Sequence, residues 1–176
     1  MSLPLLSTKC HIPPLRASCV SRPRLNKKLL EGVKRPGSFA LLSGPAGFGK
    51  TTLLTEAITG LRQQVAWLSL EAADNDPIRF WMYLLAACQS IVPEIGQSAM
   101  ALLQTLQQLP DDAIPTILIN DLDKSGADLV LVLDDYQAIQ SPSIHAALAF
   151  LLEHLPNTFH VVISTRVDPP WPLARY

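Results

Sequence analysis

The feature that most constrains the fold of this chain is the eight-residue stretch Gly44-Pro45-Ala46-Gly47-Phe48-Gly49-Lys50-Thr51. It has the spacing G-x-x-x-x-G-K-[ST], follows an apolar run at residues 38–42, and precedes an amphipathic segment at residues 50–59. A strand, a glycine-rich loop and a helix are therefore expected in that order. The glycines let successive backbone N–H groups point inward, and the helix N-terminus adds partial positive charge. The stretch predicts a cradle for phosphate groups.

Within this cradle, Lys50 is placed to reach the β- and γ-phosphates of a nucleotide, and the Thr51 hydroxyl to hold Mg²⁺. The alternative is a glycine-rich turn that binds nothing. It is disfavoured because a lysine aimed into a loop of bare N–H groups makes little sense without an anion. We therefore predict a P-loop whose nucleotide-binding residues are Gly44, Pro45, Ala46, Gly47, Phe48, Gly49, Lys50, Thr51 and Thr52.

The rest of the chain alternates strand and helix patterns. Further strands are predicted at residues 65–70, 129–133 and 160–164, and helices at residues 77–92, 97–109, 115–124 and 143–155. This alternation predicts an α/β fold with a mostly parallel sheet between two helical layers, the three-layer P-loop NTPase fold of ASCE type. Such cores usually have at least five strands, and four are clear here, so we expect the chain to stop before its last core strand.

The charge is divided unevenly along the chain. The first 35 residues hold eight of the fourteen basic residues and one acid, for a net charge of +7, whereas the rest carries −8. We interpret residues 1–36 as a basic arm and helix that contribute to the nucleotide pocket, and residues 37–176 as the P-loop core. The arm is expected to lie on the acidic body or to place cations near nucleotide. Direct nucleic-acid binding is disfavoured, because the arm lacks interleaved aromatic residues and a DNA-reading motif.

Composition argues against several classes of protein. The three cysteines are an odd number without a C-x-x-C pair, and the four histidines lack metal-ligand spacing, so neither a disulfide framework nor a zinc site is predicted. Prolines and Lys9 interrupt the first fifteen residues, which disfavours a signal peptide. No apolar run is long enough for a membrane helix. We expect a cytoplasmic protein with reduced thiols and no membrane contact.

Two acids, Asp134 and Asp135, directly follow the apolar run at residues 129–133. The carboxyl end of a strand beside the phosphate loop is where Mg²⁺ coordination is expected. We assign Asp134 to the metal, through water and alongside Thr51, and Asp135 to orienting or deprotonating an attacking water. The alternative, a strand end with two solvated acids, is disfavoured because adjacent acids repel each other unless a cation is near.

Arg166 ends the next predicted strand. If that strand lies beside the loop strand, Arg166 reaches the γ-phosphate side and stabilises charge there. An ordinary surface arginine remains the alternative. The predicted catalytic residues are thus Asp135, Lys50 and Arg166.

Four further blocks accompany the loop: Trp-Leu-Ser-Leu-Glu at residues 67–71, Asp-Asn-Asp-Pro at 74–77, Leu-Val-Leu-Asp-Asp-Tyr at 131–136 and Ile-Ser-Thr-Arg at 163–166. Together with the loop they resemble the N-terminal ATPase domain of the large MalT-like, LuxR-family transcriptional regulators, which belong to the STAND class of ATPases. The resemblance begins near Leu5 and continues to the end of the chain.

This resemblance implies a switch that holds ADP at rest, exchanges it for ATP, self-associates and activates transcription. It implies that Val20, Ser21 and Arg22 lie near the adenine, and that Arg166 matches the sensor arginine of the family. DNA binding is expected only through a C-terminal helix-turn-helix domain that is missing from this chain.

Two functions stay open. The first is a regulatory module that binds ATP or ADP with Mg²⁺ and hydrolyses ATP slowly; the second is a stand-alone ATPase or small-molecule phosphotransferase. A phosphotransferase needs a lid of clustered arginines, but the basic residues after the loop are scattered: Arg62, Arg79, Lys124, Arg166 and Arg175. A degenerate interaction domain without nucleotide is disfavoured by the intact Lys50, Thr51 and Asp134.

Overall fold

The computed structural model describes residues 5–15, 20–105 and 112–172. Its centre is a sheet of four strands: β1 (Phe39–Ser43), β2 (Gln64–Ser69), β3 (Leu129–Asp134) and β4 (Phe159–Thr165). The strands lie in the order β1-β4-β3-β2. All three pairings are parallel. The parallel α/β sheet predicted from the sequence is confirmed, and β4 lies between the loop strand and the strand that ends in Asp134.

Six α-helices surround this sheet within the described ranges: α1 (Pro23–Val33), α2 (Lys50–Ile58), α3 (Pro77–Gln89), α4 (Gln97–Thr105), α5 (Ala113–Ser125) and α6 (Pro142–Glu153). Asp76 caps α3 as its sequence position suggests, because its carboxylate accepts the Arg79 N–H at 2.8 Å. In this part of the chain, no helix is long and apolar enough to cross a bilayer.

Some boundaries differ from the predictions. α3 ends at Gln89 rather than near residue 92, and the Ser90 hydroxyl bonds the Ala87 carbonyl in its last turn. Helix α4 is described up to Thr105, and the rest of its predicted range lies outside the described residues. The N-terminal arm contains a 3₁₀-helix at Ser7–Cys10.

The side chains of the sheet alternate between two apolar layers. Val130, Val132 and Val162 face the layer that contains Val33 of α1 and Leu54 of α2. The intervening strand residues face a larger layer built from α3, α4, α5 and α6. Both faces are therefore covered, as parallel sheets require. The larger layer includes the buried aromatic residues of α3, which are Phe80, Trp81 and Tyr83.

The arm is fixed to the body by a buried ion-pair cluster. The Lys9 ammonium contacts the carboxylates of Asp74 and, at 3.2 Å, Glu71. It also lies 4.3 Å from the centre of the Tyr83 ring. Arg79 pairs with the same two acids at 3.1 and 3.2 Å. Since the side chains of Lys9 and Asp74 are 8% and 0% exposed, these charges depend on one another rather than on water.

His145, on α6, lies in a cluster of aromatic rings. Its ring is half-buried and bonds the Tyr136 hydroxyl through Nδ1 at 2.7 Å. Trp171 packs against both rings and donates its indole N–H to the His145 carbonyl at 3.1 Å. The helical spacing of apolar residues in α6 could not predict this cluster, because Trp171 lies in a distant segment of the chain.

Replacing Lys9 with Met should lower the free energy of unfolding by about 3 kcal/mol, because it leaves Asp74 with one cation in a dry site. Urea denaturation followed by circular dichroism measures this change. The matched control is Lys27→Met, which removes an exposed pair with Glu31 at 3.8 Å and should cost less than about 0.5 kcal/mol. Equal effects of the two substitutions would contradict the buried-cluster assignment.

Acid should destabilise the chain partly through His145. Burial lowers the pKa of His145, so the folded state keeps the ring neutral while the unfolded state takes up a proton more readily. The contribution of the neutral His145 ring to stability is complete above the pKa of the ring in the unfolded state, which is about 6.5, and is lost as the pH falls below that value. His145→Asn should therefore make the stability loss between about pH 7 and pH 5 less steep in urea titrations. An unchanged slope would refute this role.

Candidate functional site

The glycine-rich loop connects β1 to α2 at the carboxyl edge of the sheet. Gly47 and Gly49 have φ angles of +81° and +72°, in the left-handed region that favours glycine. Gly49 is the residue that caps the N-terminus of α2. The loop thus turns in the way the motif requires and presents the first N–H groups of the helix to the space above it.

Lys50 lies across this loop. Its ammonium donates to the carbonyl of Gly44 at 2.6 Å and to that of Pro45 at 3.0 Å. These neutral acceptors hold the side chain at the cradle. Phosphate oxygens in the same place are stronger partners, because their negative charge attracts the ammonium more strongly than a neutral carbonyl does.

Asp134 is the most enclosed acid of the site, with 3% exposure. Three donors converge on its carboxylate: the Thr51 hydroxyl at 2.8 Å, the Ser164 hydroxyl at 2.5 Å and the Asp135 N–H at 3.0 Å. The structure therefore brings together the two residues that the sequence assigns to Mg²⁺. Ser164 was not identified from the sequence, although a serine at the end of an apolar strand beside the loop strand was an available signal.

The donor set fits Mg²⁺, which prefers oxygen ligands and commonly uses one or two protein groups together with nucleotide phosphates and water. Thr51 and Asp134 offer a hydroxyl and a carboxylate within one hydrogen bond of each other. Across residues 5–15, 20–105 and 112–172, no group of three or more His, Cys, Asp or Glu side chains is arranged to hold a metal.

Asp135 has an unusual backbone. With φ 58° and ψ 39°, it is the one non-glycine residue with positive φ among those that the structure describes. Such a conformation costs roughly 1 kcal/mol for a residue with a side chain. Its carboxylate borders the pocket and accepts a hydrogen bond from the Gln137 amide at 2.7 Å.

The sequence analysis placed Arg166 near the γ-phosphate on the condition that its strand lies beside the loop strand. That condition is met, because β4 pairs with β1 and Thr165 is in register with Ser43. The exposed Arg166 borders the same pocket as the loop and Asp135. Its backbone N–H donates to the Gln137 side-chain oxygen at 3.0 Å. Gln137 was missed by the sequence analysis, since its position two residues after the acid pair gives no signal of a contact with β4.

The pocket is a cavity of about 600 Å³ between the loop and the N-terminal arm. The arm contributes Pro13, Pro14 and Leu15 to its wall. Arg22 contacts the loop through a bond from Nη1 to the Phe48 carbonyl at 2.9 Å, while the Val20 side chain is 82% exposed and is not among the wall residues. The placement of Val20 and Arg22 near an adenine stays a prediction.

A second polar cluster lies at the amino ends of the strands, away from the loop. Ser38 Oγ is 2.9 Å from Nδ1 of His160, and His160 Nε2 is 3.3 Å from an Asp128 carboxylate oxygen. The order Ser-His-Asp resembles a hydrolase triad, but the roles of the two ring nitrogens are reversed. Because the imidazole is buried and links the starts of β1, β3 and β4, the cluster acts as a structural tie.

Comparison with known proteins gives matches over most of the chain. Residues 24–164 match the model of a family described as AAA ATPase domain. Two proteins described as HTH-type transcriptional regulator MalT, from Cronobacter sakazakii and Yersinia enterocolitica, are each 34% identical over 170 residues. These alignments cover 97% of this chain but 18% of either regulator, so the chain spans less than a fifth of their length.

Two solved structures share the fold at low sequence identity. Cdc6p from Pyrobaculum aerophilum matches with a TM-score of 0.55 and 16% identity, over 93% of this chain and 44% of that one. A Walker-type ATPase of Pyrococcus abyssi matches with a TM-score of 0.50 and 18% identity, over 86% and 46% of the respective chains. The fold is therefore that of a P-loop ATPase.

Removal of the Ser164 hydroxyl should destabilise the site. Ser164→Ala leaves a buried carboxylate with one donor fewer, which should cost about 1.5–3 kcal/mol of unfolding free energy. The matched control is Ser143→Ala, which removes a bond between two neutral hydroxyls at 3.0 Å and should cost about 1 kcal/mol or less. Thermal and urea unfolding compare the two variants, and a smaller loss for Ser164→Ala would disprove the importance of this contact.

Proposed function

The chain belongs to the AAA ATPase domain family, and we propose that it is a regulatory nucleotide switch that binds ATP or ADP with Mg²⁺ and hydrolyses ATP slowly. The observation that carries this proposal is that Lys50 and Thr51 line a cavity of about 600 Å³, while the Thr51 hydroxyl donates to the buried Asp134 carboxylate at 2.8 Å. A cavity of this size is typical of small-molecule sites.

The phosphates are proposed to lie in the glycine-rich loop. There the N–H groups at the start of α2 and the Lys50 ammonium offset their negative charge. Thr51 and Asp134 would hold Mg²⁺, which when bound supplies positive charge to the phosphate oxygens. Pro13, Pro14 and Leu15 offer apolar surface on the facing wall, which suits the nucleoside part of the ligand.

Hydrolysis is proposed to depend on Asp135 and Arg166. The Asp135 carboxylate would orient a water and accept its proton, as a general base does. The Arg166 guanidinium would stabilise charge on the transferring phosphoryl group. Both residues border the cavity, and their strands are neighbours through the β3–β4 pairing.

The regulatory part of the proposal rests on similarity to the two MalT proteins, which are described as HTH-type transcriptional regulators. By this proposal, the identity of the bound nucleotide controls self-association and, through parts beyond the aligned region, DNA binding and transcription. A stand-alone ATPase or phosphotransferase remains the alternative. It is disfavoured because Arg79, one of the few cations after the loop, is already paired with Asp74 and Glu71.

The first test is nucleotide binding by calorimetry. Lys50→Ala should weaken binding of both Mg-ATP and Mg-ADP by about a hundredfold, because it removes charge-assisted hydrogen bonds to phosphate. Lys28→Ala, on the exposed side of α1, is the matched control and should bind like wild type. Unchanged affinity in Lys50→Ala would disprove the phosphate-binding assignment.

The second test separates binding from hydrolysis. Asn tolerates the left-handed backbone of Asp135, so Asp135→Asn should keep the fold and leave nucleotide affinity within about twofold. Loss of the general base should slow single-turnover hydrolysis by about a hundredfold. A wild-type rate in this variant would remove Asp135 from the mechanism while leaving the binding function intact.

A further inference from the structure

We propose that Gln137 is the positioning residue that fixes the Asp135 carboxylate relative to Arg166 and thereby couples the two sides of the phosphate pocket. This inference rests on the proposed function, since it assigns a task in ATP hydrolysis. It concerns a residue that the glycine-loop motif and the acid pair do not specify.

The Gln137 amide forms a bridge between the ends of two neighbouring strands. Its Nε2 donates to Oδ1 of Asp135 at 2.7 Å. Its Oε1 accepts the backbone N–H of Arg166 at 3.0 Å. Asp135 follows β3 and Arg166 follows β4, so a single side chain joins the proposed water-handling acid to the segment that carries the proposed charge-stabilising arginine.

The orientation of this amide is fixed by its partners. A backbone N–H can only donate, so the oxygen of Gln137 must face Arg166. The amide nitrogen then faces the carboxylate, which accepts when ionised. An exchange of the two amide ends would break both bonds, which makes the bridge specific for one arrangement.

The backbone of Gln137 is well anchored. It lies in the one-turn 3₁₀-helix Tyr136–Ala138, directly after the left-handed Asp135. The preceding Tyr136 is 1% exposed and is bonded to His145. The Gln137 amide therefore extends from a well-packed turn.

This geometry has a consequence for the reaction. A bond to Oδ1 orients the Asp135 carboxylate while its second oxygen keeps the capacity to accept from water. Because the other end of the bridge is the Arg166 backbone, a displacement of Arg166 on contact with a γ-phosphate is transmitted to Asp135. Acid and arginine thus take up their working positions together.

Two substitutions distinguish the contributions of the two hydrogen bonds that the Gln137 side chain makes. Gln137→Met keeps the approximate length and volume but removes the donor and the acceptor. Gln137→Glu keeps oxygens that can accept from Arg166 but replaces the donor with a negative charge beside Asp135. Gln140→Met, at an exposed position shortly after that turn, is the matched control.

The measurements are the dissociation constants of Mg-ADP and Mg-ATP by calorimetry and the single-turnover rate of hydrolysis at saturating ATP. Both Gln137 variants should bind Mg-ADP within about twofold of wild type, since they lie outside the glycine-rich loop. Their hydrolysis should be slower by about tenfold or more, with Gln137→Glu affected at least as much as Gln137→Met. Gln140→Met should match wild type in both measurements.

Several outcomes would overturn the inference. One is a wild-type rate in Gln137→Glu, because the contact to Arg166 would then suffice without the donor to Asp135. Another is loss of Mg-ADP binding in both variants, since this would indicate a general structural role. Binding without any hydrolysis in the wild-type protein would overturn it as well and leave the binding part of the proposed function standing. Absence of binding in wild type would instead be a failure of the proposed function itself.

Discussion

The carboxyl edge of the sheet depends on one buried carboxylate, that of Asp134. Removing an ionised group from water is costly unless hydrogen bonds replace its hydration. Thr51, Ser164 and the Asp135 N–H provide that replacement, and they come from α2, from β4 and from the turn after β3. A single side chain thus ties the helix after the loop to two strands that are distant in sequence. Because Thr51 adjoins Lys50 and Ser164 lies two residues before Arg166, the hydrogen bonds to this one carboxylate hold the glycine-rich loop, β4 and the turn after β3 together at one edge of the sheet.

The order of the strands makes this convergence possible. In a parallel sheet all carboxyl ends lie at one edge, so loops that are far apart in sequence meet there. The order β1-β4-β3-β2 puts Ser164 and Arg166 between the glycine loop and the acid pair.

The opposite edge carries the Ser38–His160–Asp128 tie, which contributes to packing. Beyond β2, the Asn75 side chain accepts the N–H groups of Gln140 and Ser141, both at 2.8 Å, and so supports the start of α6.

Local pattern was sufficient to predict part of this site. The phosphate loop and Asp134 could be predicted because the chemistry is encoded in a short motif and in the point where an apolar strand ends. The position of Arg166 could be predicted only from the order of the strands, and the sequence does not specify that order. Ser164, Gln137 and the arm residues Pro13 to Leu15 were missed because their contacts arise from register and from the path of the arm. The resemblance pointed to Val20 near the base, whereas the residues of the arm that border the cavity come earlier in the chain.

The left-handed backbone at Asp135 bears on how a protein of this kind can evolve. Most side chains are strained in that conformation, whereas Asn and Gly adopt it readily. The substitutions that leave the backbone unstrained at this position, Asp135→Asn and Asp135→Gly, therefore both remove the carboxylate. By the role proposed for Asp135, a lineage can lose nucleotide turnover at this position without a conformational penalty and still retain the buried Asp134 and the glycine-rich loop. A single substitution that the backbone tolerates would then separate a switch that resets by hydrolysis from one that stays loaded with nucleotide.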